Sequence, residues 1–136
     1  MDPIIQVQGV SKSYWRDRFE VPVLNNISFD IPAGEYLALM GPSGSGKTTL
    51  LKTIVGLIIN FDGEVLINDL PAMDREARLS TSFLPEDFSP PLYLTGYDFV
   101  SYMLRLSGGS LNQSEVDEFA DTLELQGHAL SQPIRT

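Results

Sequence analysis

The octapeptide Gly41-Pro42-Ser43-Gly44-Ser45-Gly46-Lys47-Thr48 satisfies the pattern G-x-x-x-x-G-K-[ST] at every position. The spacing has a mechanical cause. Glycines let successive backbone N–H groups turn inward around a phosphate with no Cβ in the way. A helix starting near Lys47 aims its unsatisfied N–H groups and positive dipole end at the same anion. Lys47 then supplies an ammonium for the β- and γ-phosphates, and Thr48 a hydroxyl for Mg²⁺. A Gly/Ser-rich loop can match by chance, so the pattern needs a buried strand before it and a helix after it. Both are legible. Tyr36-Leu37-Ala38-Leu39-Met40 is a nearly continuous apolar run that suits a strand buried on both faces. Leu50, Leu51, Ile54, Val55 and Ile58 recur at helical spacing and predict a helix over 47–58. The motif alone does not separate ATP from GTP, or hydrolysis from transfer to another acceptor.

The rest of the composition narrows the setting. A length of 136 residues suits one domain with a sizeable core, and 43% apolar with 20% charged residues excludes disordered and collagenous classes. With no cysteine, disulfide frameworks, zinc–thiolate sites and cysteine nucleophiles are excluded. The longest apolar run, 54–59, is far short of a membrane span. Met1-Asp2-Pro3 lacks the basic start of a secretory leader, so the expectation is a soluble cytosolic chain. Charge is unevenly placed. Residues 1–60 hold five acids and five bases, so residues 61–136 carry the whole net charge of −9. Such acidity repels nucleic-acid backbones and anionic lipid, and nucleic acid is not an expected partner. The acids read most simply as a solvated face.

No internal repeat or low-complexity tract interrupts the chain. Ile4-Ile5-Gln6-Val7-Gln8 is β-rich, and 24–31 alternates around Ile27, Phe29 and Ile31, so both read as strands. Pro32-Ala33-Gly34-Glu35 reads as a turn. Asp62-Gly63 is a tight-turn dipeptide ahead of a short strand over 64–67. A polar linker over 68–78 leads to an expected strand over 80–84, and 85–95 is too rich in proline for either element. A helix is predicted over 97–106, stopped by Ser107-Gly108-Gly109. Another begins near Asn112 or Ser114, with Val116, Phe119, Ala120 and Leu123 on one face and Gly127 as its stop.

Several further pieces surround the phosphate loop in a fixed order: Val10-Ser11-Lys12-Ser13-Tyr14, Val23-Leu24-Asn25-Asn26-Ile27-Ser28-Phe29, Gly34-Glu35, Thr49-Leu50-Leu51, Gly56-Leu57 and Gly63-Glu64-Val65. Through that order and spacing the chain resembles, from Ile5 onward, the ATP-binding subunit of ABC transporters. The resemblance implies an α/β fold, a P-loop NTPase of ABC-ATPase type. An antiparallel β-subdomain and P-loop core would occupy 1–95, and the start of a helical subdomain 96–136. It implies ATP and Mg²⁺ as ligands, held by Gly41, Pro42, Ser43, Gly44, Ser45, Gly46, Lys47, Thr48 and Thr49. Tyr14 matches the aromatic that stacks on adenine, although a strand-end core aromatic is the plainer alternative. The stretch 15–22 reads as a spacer whose tip lies in solvent. Thr49 matches the hydroxyl that reaches the α-phosphate.

The family usually has a metal-holding glutamine after the strand expected to end at Leu84, where this chain reads Leu84-Pro85-Glu86. Glu86 still offers carboxylate oxygen to a hard cation, so the metal residues implied are Thr48 and Glu86. The proline- and aromatic-rich 88–93 matches the face that docks on a transmembrane permease subunit. A second ATP-binding subunit and a peripheral place on the cytoplasmic face of the membrane are implied with it. Leu106-Ser107-Gly108-Gly109-Ser110 imitates the family signature peptide but precedes the second helix instead of following it, so it reads as a helix stop. His128 stands beside that helix's expected stop and reads as a surface residue. No run of four apolar residues followed by Asp-Glu occurs, and Gln132-Pro133-Ile134-Arg135-Thr136 resembles the stretch just ahead of the true signature. The expectation is a truncated, N-terminal part of the family domain, without catalytic residues of its own. Another P-loop enzyme, a GTPase or kinase, remains open, as does a non-hydrolysing nucleotide-binding module. The former typically begin close to the phosphate loop, whereas two strands and Tyr14 precede it here.

Overall fold

Val7 and Val10 are both fully buried, although three residues apart on a strand they should point to opposite faces. A bulge resolves the conflict. The computed structural model describes residues 2–110, 112–125 and 129–134, and in it strand β1 (Pro3–Arg16) slips register against β2 (Phe19–Pro32) between Val7 and Val10. Gly9 takes φ 60° there and donates its N–H to Ser28 Oγ at 2.8 Å, while Asn26 donates its N–H to Ser11 Oγ at 2.8 Å. Two serine hydroxyls thus satisfy the backbone groups that the slipped ladder leaves over.

β1 and β2 form a long hairpin turning at Asp17 and Arg18, and the strands run well past the two short segments legible in the sequence. The tip lies in solvent as expected, with Trp15 and Phe19 exposed. β3 (Asp62–Ile67) pairs antiparallel with the other side of β1, and β4 (Leu70–Pro71) pairs with β3, so the sheet order is β2-β1-β3-β4. Helix α1 (Lys47–Ile54) lays Leu50 and Ile54 against Val7, Val10, Leu24, Val65 and Ile67. Burying each such aliphatic side chain contributes about 1.5–3 kcal/mol.

Four expectations need correction. Residues 36–40 form no strand, and Tyr36 and Met40 are 93% and 87% exposed. A strand buried on both faces exists only where neighbours pair with it, and among the described residues none of β1 to β4 reaches this run. Residues 80–84 likewise form no strand. Helix α1 stops at Ile54 and not at 58, because Gly56 turns to φ 70° while the Leu57 and Ile58 N–H groups fold back on the Lys52 carbonyl. The linker over 68–78 is not featureless. It holds β4 and the start of a short helix, α2 (Arg75–Leu79), anchored by Ala72 and Ala77, both buried.

The chain divides into two compact units, 1–83 and 84–136. In the second, α3 (Gly96–Leu106) and α4 (Gln113–Thr122) each open with a reciprocal capping box, Thr95 with Asp98 and Asn112 with Glu115. The 85–95 stretch has no regular element, but the Phe88 ring lies 5.6 Å from that of Phe99 on α3. Pro133 bridges back to Thr95, and the Ile134 N–H donates to the Leu94 carbonyl at 2.9 Å. Helix α4 ends at Thr122, and Gly127, its expected stop, lies outside the described residues. No helix among the described residues is long and apolar enough to cross a membrane.

Gly56 joins α1 to the sheet under a double constraint. Its φ is 70°, and a Cβ there would land on the Ala72 carbonyl oxygen. Gly56→Ala should therefore destabilise the first unit by about 2 kcal/mol or more, a left-handed penalty of 1–2 kcal/mol plus overpacking. Urea titration checks it: the midpoint should fall at unchanged slope.

Candidate functional site

The phosphate loop leaves residue 40 unpaired to either side and enters α1 at Lys47. Its curl is local: the Ser45 N–H donates to the Pro42 carbonyl at 3.3 Å, and Gly44 takes φ 80°. Gly46, the N-cap, takes φ 91° and lies so close to β2 that a Cβ would stand 2.9 Å from Val23 O and 3.2 Å from Leu24 Cδ2. Only glycine satisfies both demands at this position.

Helix α1 starts without a side-chain cap and without an acid in its first turn. Its opening N–H groups have no partner within the helix, and the positive end of its dipole is not offset by a carboxylate. Lys47 arches back over the loop, donating from Nζ to Gly41 O at 2.8 Å and Pro42 O at 2.7 Å. Both partners are neutral carbonyls, so neither offsets the positive charge of the ammonium. Thr48 is exposed and Thr49 half-buried. The far side of the helix holds it in place through Leu50, Ile54 and the fully buried Thr53, whose hydroxyl is satisfied by Thr49 O at 2.8 Å. The arrangement is a rigid, uncapped cationic cradle, chemically suited to a polyphosphate.

Tyr14 is on β1, opposite Val21, and Lys12, two residues before it, is opposite Leu24. Directly opposed residues share a face, so Lys12 stands beside the leucine against which Gly46 packs. Tyr14, one pleat further at about 7 Å, is 42% exposed and therefore not a core residue. It borders an open hollow of about 320 Å³ that Lys12, Asn60, Asp62 and Glu20 also line. Sequence reasoning passed over Lys12 and the Val23–Leu24 seat. The i, i+2 spacing of Lys12 and Tyr14 on one strand was the signal available for the lysine.

Glu86 is exposed in the irregular start of the second unit, whereas Thr48 belongs to the first. Among the described residues no three His, Cys, Asp or Glu side chains gather as a metal cluster. Leu106 to Ser110 ends α3, with Ser107 as C-cap and Gly108 at φ 82°. His128 lies outside the described residues.

These features agree with what the chain is similar to. The family model described as ABC transporter matches residues 24–134. The sulfate/thiosulfate import ATP-binding protein of Agrobacterium fabrum is 33% identical over 130 residues, which are 90% of this chain and 36% of that protein. Among solved structures, an ABC transporter ATP-binding protein from Pyrococcus furiosus superposes with a TM-score of 0.76 at 28% identity, over 95% of this chain and 60% of the other. A dimeric ATP-binding cassette in a post-hydrolysis state, bound to ADP and Pi, superposes with a TM-score of 0.80 at 27% identity, over 95% and 61%. The chain thus spans about a third of the curated relative and about three fifths of the solved ones. With the family match running from β2 to Ile134, this chain belongs to the ABC transporter ATP-binding family.

Proposed function

We propose that this chain binds Mg²⁺-ATP at the loop 41–46 and the start of α1, and that the whole protein hydrolyses it to drive transport across a membrane. The observation that carries the reading is Lys47, held by two neutral carbonyls over an uncapped helix start. On arrival of a nucleotide, phosphate oxygens would exchange with those carbonyls for the ammonium, a bond between opposite charges replacing two to neutral acceptors. The first N–H groups of α1 and those of the curled loop bind the same oxygens, and Thr49 reaches the α-phosphate. The hydroxyl of Thr48 is a hard oxygen donor that would suit magnesium, which when bound would neutralise phosphate charge. Tyr14 receives the adenine on its exposed ring.

In this reading a second ATP-binding subunit completes the site. One solved neighbour is itself a dimer with ADP and Pi bound. The segment 88–93, with Tyr93 largely exposed, faces a transmembrane permease, so the protein works on the cytoplasmic side of the membrane as a peripheral subunit.

Lys47→Ala should weaken ATP by about ten- to a hundredfold, the 1.5–3 kcal/mol of a charged hydrogen bond, as read by calorimetry. Tyr14→Ala should cost ATP about 1–3 kcal/mol of stacking and leave inorganic triphosphate untouched. Equal losses for the two ligands would remove the adenine role. Within residues 1–136 no aspartate–glutamate pair ends an apolar strand, so nothing there orients an attacking water. A polypeptide of these residues alone should release no phosphate beyond its Lys47→Ala counterpart. Lysine-dependent turnover would reveal a catalytic base among them.

A further inference from the structure

The Nζ of Lys12 lies over the Tyr14 ring, 5.0 Å from its centroid, and donates to the backbone carbonyl of Asn60. The two contacts come from different segments of the chain. The ring belongs to the hairpin and Asn60 to the connection between α1 and β3. The register also ties Lys12 to the phosphate loop, since it opposes Leu24, whose Cδ2 lies against Gly46. An exposed tyrosine near the end of a hairpin has freedom about both χ angles, and a flat base stacks only on a ring whose plane is fixed. A cation within about 6 Å of the centroid is attracted to the ring face and occupies it. The remaining face is then the one left to a ligand.

We infer that Lys12 is a positioning residue for the nucleotide base: it clamps one face of Tyr14 and, through Asn60, fixes the ring relative to the approach to β3. The inference rests on the reading of Tyr14 as the base platform. The lysine touches no phosphate in this role, so its effect is confined to ligands that carry a base. A backbone carbonyl as tether means that substitutions of the Asn60 side chain leave the clamp intact.

Calorimetry on the intact protein tests it with ATP and inorganic triphosphate as probes, against Lys12→Met, Lys12→Arg, Tyr14→Ala and the Lys12→Met/Tyr14→Ala double variant. Methionine keeps the length of the stem and removes the cation. Lys12→Met should weaken ATP about two- to fivefold, the worth of a cation–π contact at an accessible site, and leave triphosphate unchanged. Lys12→Arg keeps a cation able to lie on the ring and should retain most of the affinity. In the Tyr14→Ala background the further loss on Lys12→Met should vanish. Three outcomes overturn the inference: equal weakening of ATP and triphosphate by Lys12→Met, an undiminished loss without the tyrosine ring, or no loss at all. If Tyr14→Ala discriminates ATP from triphosphate while Lys12→Met does nothing, the base platform stands and the clamp falls. If Tyr14→Ala does not discriminate, both fall together.

Discussion

Gly46 against β2 is the contact through which the sheet and the phosphate cradle become one object. A glycine at φ 91°, with no room for a Cβ beside Val23 and Leu24, sets where α1 begins, and therefore where its N–H groups aim. The hairpin sets where that surface stands. Leu24 is buried among Val7, Val10 and Leu50, so the seat of the loop is itself part of the core. Displacement of the cradle would therefore disturb close-packed aliphatic contacts, which tolerate even small volume changes poorly. A phosphate site built on this seat is held by the core and not by the loop alone.

The same contact explains how the base and phosphate ends of a nucleotide could be served by one rigid element. Leu24 faces the loop, Lys12 opposes Leu24, and Tyr14 follows two residues on. Strand geometry fixes that separation at about 7 Å without any loop between the parts. The β1–β2 ladder slips register between Val10 and Lys12 and again between Lys12 and Ser13, and these bulges adjust which residues face the helix. The slip around Gly9 has that effect, since without it Val7 and Val10 would not share a face.

The shape of the loop was legible because eight residues in fixed order encode a backbone curl and a helix start together. Both later helices were legible from the Ser107-Gly108-Gly109 stop and the spacing of Val116, Phe119, Ala120 and Leu123, and in the structure Thr95 with Asp98 and Asn112 with Glu115 cap them locally. The strands over 36–40 and 80–84 were not there to be found. Their composition favours pairing, but a strand is a relation between segments and composition names no partner. The two elements over 68–79 were missed for the opposite reason. Ala72 and Ala77 bury so little apolar area that no periodic signal rises above the polar residues around them. The Lys12 clamp escaped because a lysine on a strand reads as surface charge until its ring and carbonyl partners are placed in space.

A net charge of −9 repels a polyanion at long range, so range and placement decide what the site meets. At physiological ionic strength exposed charges are screened beyond about 8 Å. The surplus acids all lie in residues 61–136, whereas 1–60, which contain the cradle and Tyr14, balance to zero. The loop 41–46 and the first turn of α1 hold no acid, and at their surface an arriving phosphate would meet Lys47 and the uncapped helix start. An acid in that first turn would offset the dipole directly, and none is there. The acidic surface lowers long-range attraction and so the rate of encounter, while the strength of binding is decided in the first shell of N–H and ammonium groups. Screening separates the two, so a strongly acidic chain is compatible with the proposed phosphate site.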